Sequence, residues 1–187
     1  MSDEVSGPNF TGETGSKDVH AGGTVYWDFQ AISGAPKAEL SFSVTTDAED
    51  APEWNVTLYD SVGNELWENY RSKNSVTVDF PGKTAKILKL EIICPKGARY
   101  GDAVNVEVHI ASDAGEASAL FTAVARQSIM ILKTQMDHEK EVVDALMARA
   151  DKGERDVYAV LSPIGLRGYV FVEGMNTDQL RVKVRDI

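Results

Sequence analysis

The chain has 187 residues, 43% of them apolar, a net charge of −10 and one cysteine, Cys94. This length and composition fit one or two globular domains. The acidity argues against non-specific binding to nucleic-acid phosphates, and a lone cysteine excludes an intrachain disulfide or a cysteine zinc site.

Met1-Ser2-Asp3-Glu4 is polar and no long apolar run follows, so neither a signal peptide nor a membrane span is expected and the expected location is cytoplasmic. The charge is uneven. Residues 128–187 sum to −1 and residues 1–127 to −9. The acidic part suits solubility or contact with a basic partner.

Residues 1–23 are rich in Gly, Ser, Thr, Asp and Glu and read as a flexible tail. From residue 24 to 113 the apolar period is two. Val25, Trp27 and Phe29 begin it, followed by Leu40, Phe42 and Val44, then Trp54, Val56 and Leu58. Leu66-Trp67 marks a short strand, and Val76, Val78 and Phe80 another, closed by Pro81-Gly82. Leu88, Leu90, Ile92 and Cys94 form the sixth, and Val104, Val106, Val108 and Ile110 the seventh. Seven short strands separated by turn signals predict an antiparallel β-sandwich.

Cys94 shares the inward parity of its strand and reads as a small core residue. His20, His109 and His138 are far apart and lack the carboxylate spacing of a metal site. Neither a glycine-rich phosphate loop nor a nucleophile–base pairing occurs, so no enzyme and no cofactor is expected. Trp27, Trp54 and Trp67 suit a sandwich core. Exposed on a concave face, they would instead form a carbohydrate platform, and the chain would be a ligand-binding sandwich with a ferredoxin-like regulatory domain.

Residues 114–127 are small and mixed and read as a linker. Residues 128–187 then read as strand, helix, strand, strand, helix. Ser128–Lys133 is apolar and short. Asp137 suits a helix N-cap, with Glu139 and Glu141 in the first turn. Val143, Leu146, Met147 and Ala150 supply one buried face, and Gly153 ends the helix. Asp156–Leu161 and Gly168–Glu173 are the next strands. Asn176 or Thr177 suits the cap of a second helix bearing Leu180, Val184 and Ile187. This order gives the first five elements of a ferredoxin-like α+β unit, whose sixth would be a strand. The expected module is partial, its last strand lost or supplied by a partner.

The strands of this module are apolar on both faces, and its helices cover one. Ile131, Tyr169 and Phe171 should therefore lie on an uncovered face, which marks a protein-binding surface unless the sandwich or a further segment covers it.

The sandwich resembles the Ig-like modules appended to many archaeal and bacterial proteins. The likeness rests on Gly22-Gly23-Thr24-Val25, on Pro52–Leu58, on Val76–Gly82 and on Cys94–Ala103. Residues 128–187 resemble the NGN domain of the NusG family of transcription elongation factors, in its archaeal and eukaryotic branch, the large subunit of the DSIF-type heterodimer. The likeness rests on Ile131-Leu132-Lys133-Thr134, His138-Glu139-Lys140-Glu141 and Asp156–Leu161, and above all on Leu166-Arg167-Gly168-Tyr169-Val170-Phe171-Val172-Glu173.

The resemblance implies that Ile131, Tyr169 and Phe171 grip the clamp coiled coil of the largest RNA polymerase subunit. It implies that Glu173 contacts a small zinc-ribbon subunit, which holds the zinc itself. It also implies a heterodimer that touches nucleic acid at most indirectly and promotes processive elongation. The family's last NGN strand and its KOW domain have no counterpart before Ile187.

Overall fold

The computed structural model describes residues 7–47, 51–151, 157–175, 180–182 and 185. Ten strands precede residue 127: β1 (Asn9–Gly12), β2 (Gly15–His20), β3 (Thr24–Ile32), β4 (Lys37–Thr46), β5 (Asn55–Asp60), β6 (Glu65–Glu68), β7 (Ser75–Asp79), β8 (Lys86–Ile93), β9 (Ala103–Ser112) and β10 (Gly115–Arg126). They form two five-stranded sheets, ordered β1-β3-β8-β5-β6 and β2-β10-β9-β4-β7.

The inward residues of both sheets form one core. Trp27 and Phe29 of β3 meet Phe121 of β10 with ring centroids 5.8 and 5.0 Å apart. Leu88, Leu90 and Ile92 lie with them, as do Val104, Val106, Val108 and Ile110. Cys94 is buried beside them, matching its expected parity.

Two expected boundaries change. The supposed tail carries β1 and β2. β1 pairs antiparallel with β3, and β2 pairs parallel with β10, so residues 9–20 cross from one sheet to the other. Backbone pairing needs few apolar side chains, and β2 buries only Val19, so an edge strand like this looks polar in sequence. The close approach of β1 to β3 requires Gly12, which has φ 105° and whose added Cβ would lie 2.9 Å from Phe29 Cα.

The supposed linker is β10, paired with β9 from Gly115 to Val124. Its inward positions are Ala119, Phe121, Ala123 and Ala125, all buried. Alanine fits there because large rings already fill the interior opposite. Only Gln127 separates β10 from the next strand.

The C-terminal module contains β11 (Ser128–Lys133), α1 (Glu139–Asp151), β12 (Ala159–Leu161) and β13 (Tyr169–Gly174), with a helical segment at 180–182. Its sheet is ordered β11-β13-β12 and both pairings are antiparallel. Val142 and Leu146 of α1, Val170 and Val172 of β13, and Leu180 form a separate core.

The helix face differs from expectation by one position. Val142 is buried, whereas Met147 is 46% exposed. α1 meets the sheet along its 142–146 line, an i, i+4 row. Asp137 has φ +71° and is not the cap; the His138 carbonyl instead accepts the Val142 N–H at 3.3 Å. Gly153, Asp156, Asn176, Thr177, Val184 and Ile187 lie outside the described residues.

Candidate functional site

β13 is the central strand of its sheet, so alternation divides its side chains strictly between two environments. Val170 and Val172 point to α1 and are fully buried. Tyr169, Phe171 and Glu173 point away from it. Register places Ile131 and Leu161 on either side of Phe171, Ile129 and Ala159 on either side of Glu173, and Lys133 beside Tyr169.

The open face therefore carries an apolar row, Ile131–Phe171–Leu161. Ile131 is 59% exposed, Leu161 61% and Tyr169 38%. Phe171 is half-buried because its two row neighbours flank it. The structure brings Ile131, Tyr169, Phe171 and Glu173 onto one surface. It adds Ile129, 66% exposed, and Leu161. The parity of β11 already marks Ile129. Leu161 becomes visible only through the β12–β13 register.

Glu173 lies near the exit of β13 but not at a sheet edge, because β11 and β12 occupy both sides of its strand. Its carbonyl accepts the Tyr158 N–H at 2.8 Å. The edge strands of this sheet are β11 and β12, one position to either side.

The entry of β13 is fixed by Gly168. Its φ is +80°, and an added Cβ would sit 3.1 Å from the Thr134 carbonyl oxygen. The Thr134 N–H donates to the Gly168 carbonyl at 2.9 Å, and the Gly168 N–H donates to the Glu139 carboxylate. That donation is the main cause holding the Glu139 carboxyl below its usual value. The glycine thus ties β11, α1 and β13 together at one point, and this sets Tyr169 on the open face.

Elsewhere the structure answers the other sequence readings. Trp27, Trp54 and Trp67 are 0, 2 and 2% exposed. A platform of these three rings is therefore ruled out, and the carbohydrate-binding alternative built on them falls with it. Inward parity and the need to fill a wide intersheet space placed them in the core.

Ser41, His109 and Glu116 adjoin on the outer face of the second sheet. His109 Nδ1 lies 3.5 Å from Ser41 Oγ, and Nε2 lies 3.5 Å from Glu116 Oε2. The grouping resembles a nucleophile–base–acid set, but it sits on a flat ladder whose backbone N–H groups are engaged between strands. Among the described residues no group of acid, histidine or cysteine side chains could hold a metal ion, and no helix is long and apolar enough to cross a membrane.

Residues 128–187 match the Spt5-NGN family, described as early transcription elongation factor of RNA pol II, NGN section. The match covers the C-terminal module and supports a NusG/Spt5-type NGN domain there. No curated protein matches the chain.

Solved structures resemble it distantly. A family 123 glycoside hydrolase from Clostridium perfringens aligns over 72% of this chain and 27% of its own, at 8% identity and a TM-score of 0.40. BcpA, the major pilin subunit of Bacillus cereus, aligns over 90% and 56%, at 11% identity and a TM-score of 0.41. A DUF4466 family protein from Parabacteroides merdae aligns over 89% and 65%, at 13% identity and a TM-score of 0.35. The chain thus spans less than two thirds of the length of each.

Proposed function

We propose that this chain, through the NGN module at residues 128–187, is a transcription elongation factor of the archaeal and eukaryotic branch that docks on RNA polymerase by its open sheet face. The observation that carries the reading is the exposed Ile131–Phe171–Leu161 row on a sheet whose other face is packed against α1. Exposed apolar side chains concentrated on one face favour a partner over water. Ile131, Tyr169 and Phe171 form the grip on the clamp coiled coil of the largest polymerase subunit. Holding the factor across the cleft keeps the clamp closed and raises processivity.

A small zinc-ribbon subunit completes the heterodimer. Sheet order restricts how it adds a strand: the place is beside β11 or β12, with Glu173 reaching it from the open face. The order β11-β13-β12, with α1 connecting β11 to β12, supports a ferredoxin-like split β-α-β module. The passage of β1 and β2 between two sheets supports an Ig-like assignment for the sandwich.

The test is a polymerase pull-down with purified variants. Tyr169→Ala and Ile131→Arg should each weaken binding by about 2 kcal/mol or more, near thirtyfold, as a central interface residue does. Both side chains face solvent, so the fold should survive. Glu173→Lys should retain polymerase and release the small subunit. Wild-type polymerase retention by both face variants would overturn the docking assignment. Undiminished small-subunit binding by Glu173→Lys would overturn the role given to that acid.

A further inference from the structure

Among the described residues, the sandwich has a strand edge that β7 covers only in part. β7 pairs with β4 only from Lys37 to Ser41. Flanking bonds fix which β4 positions face that side: the Phe80 N–H donates to the Pro36 carbonyl at 2.7 Å, and the Phe42 N–H to the Asn74 carbonyl at 2.9 Å. Even-numbered positions of β4 therefore direct their backbone N–H and C=O toward β7, because antiparallel bonding alternates. The next is Val44. Beyond Asn74 the β7 chain has turned away, and the Lys73 carbonyl instead accepts the Trp67 indole N–H at 2.6 Å. The Val44 backbone groups face a cleft of about 500 Å³.

The lining suits an extended chain. Phe42 and Trp67 stack with centroids 3.9 Å apart and 10° between their planes, which makes a rigid wall and uses the ring faces a sugar would need. Tyr70, 53% exposed, stands at the mouth. Among the described lining residues Glu53 is the one charged side chain; burial first and the Glu53 charge second push up the Tyr70 hydroxyl. A second copy of this chain is a poor occupant, since each copy carries −10.

We propose that this cleft binds an extended peptide bearing lysine or arginine, which adds a short strand beside Val44 and places a basic side chain on Glu53. Main-chain bonds at an open edge supply affinity, and flanking side-chain pockets supply specificity. The inference is independent of the polymerase-docking assignment, which concerns a different module.

The probe is an acetylated and amidated Thr-Lys-Val-Lys-Thr peptide, titrated into the full chain and followed by Trp fluorescence and by amide hydrogen exchange at Val44. Saturable binding with protection of the Val44 amide is expected. Two further probes carry N-methyl groups, one at both lysine amides and one at the valine amide. One of the two must present methyls where ladder bonds form, and should bind about tenfold more weakly. Glutamate in place of both lysines should weaken binding on the wild type and favour it on Glu53→Lys. Val44→Pro should lose about tenfold while the sandwich stays folded, since proline is tolerated where the N–H points out of a sheet. Equal binding of all methylated and unmethylated probes, indifference to peptide charge, or no saturation in the millimolar range would each overturn the proposal.

Discussion

Replacing Gly168 by alanine tests how the docking face is built. Gly168 has φ +80°, and the added methyl carbon would meet the Thr134 carbonyl oxygen at 3.1 Å. A left-handed conformation costs a residue with Cβ about 1–2 kcal/mol, and the Thr134 carbonyl cannot retreat without lengthening the 2.9 Å bond from its own N–H to Gly168. Stiffening of the unfolded chain offsets about 0.4–1 kcal/mol. With the 3.1 Å contact added, the net loss should be about 1 kcal/mol, which in a module of this size lowers its melting midpoint by roughly 4–8 °C. The assay can isolate the module. Trp27, Trp54 and Trp67 all lie in the sandwich, so indole fluorescence follows that domain. The helical signal at 222 nm follows α1 (Glu139–Asp151). Gly168→Ala should lower the 222-nm midpoint while the tryptophan midpoint holds. An unchanged 222-nm midpoint would refute the idea that this glycine pins β13 to β11 and α1.

Two further outcomes follow from titrating groups. The Glu139 carboxyl is held low, first by the Gly168 N–H, so its folded pKa lies below its unfolded one. Its stabilising contribution is therefore present above the unfolded pKa and disappears as pH falls through the folded pKa. The gap in 222-nm midpoint between wild type and Glu139→Gln should be largest near neutrality and close in acid; a gap independent of pH would contradict this. Burial pushes the Cys94 thiol up to about 11. With the side chain 1% exposed, a thiol reagent at pH 8 should label the native protein no faster than the sandwich opens, and denaturant should accelerate it. Immediate labelling of the folded chain would place Cys94 outside the core.

Much of this architecture is legible in the sequence wherever one face of a strand meets a core. Trp27, Phe29 and Ala31 alternate with polar residues, as do Leu88, Leu90 and Ile92, and all six are buried. The same parity separates Val170 and Val172 from Tyr169 and Phe171. Legibility fails where stabilisation comes from the backbone or from small residues. β2 contributes a ladder to β10 while burying little of its own. β10 fills its inward positions largely with alanine, which carries weak strand preference and reads as linker. On α1, the run Val142-Val143 with Leu146-Met147 allows two adjacent faces, and only packing against β13 selects 142 and 146. The open edge at Val44 leaves no composition signal, because it depends on where β7 departs.

The joint between the two domains links these features. β10 ends at Arg126 and β11 begins at Ser128, so a single residue connects two strands that each belong to a closed ladder. The chain also returns: Gly174, the last residue of β13, pairs with Ser128, and Met175 just beyond it is buried in the sandwich core. A one-residue hinge could still swing, but swinging would draw Met175 out of that core and expose a side chain whose burial is worth about 1.5–3 kcal/mol. Burial of Met175 therefore favours the arrangement in which the sandwich and the C-terminal sheet stay together. On the proposed docking through Ile131, Tyr169 and Phe171, a partner there would restrain the position of the Val44 cleft as well. A basic extended segment of such an assembly would then meet the proposed cleft at raised effective concentration, where even a weak strand addition would contribute.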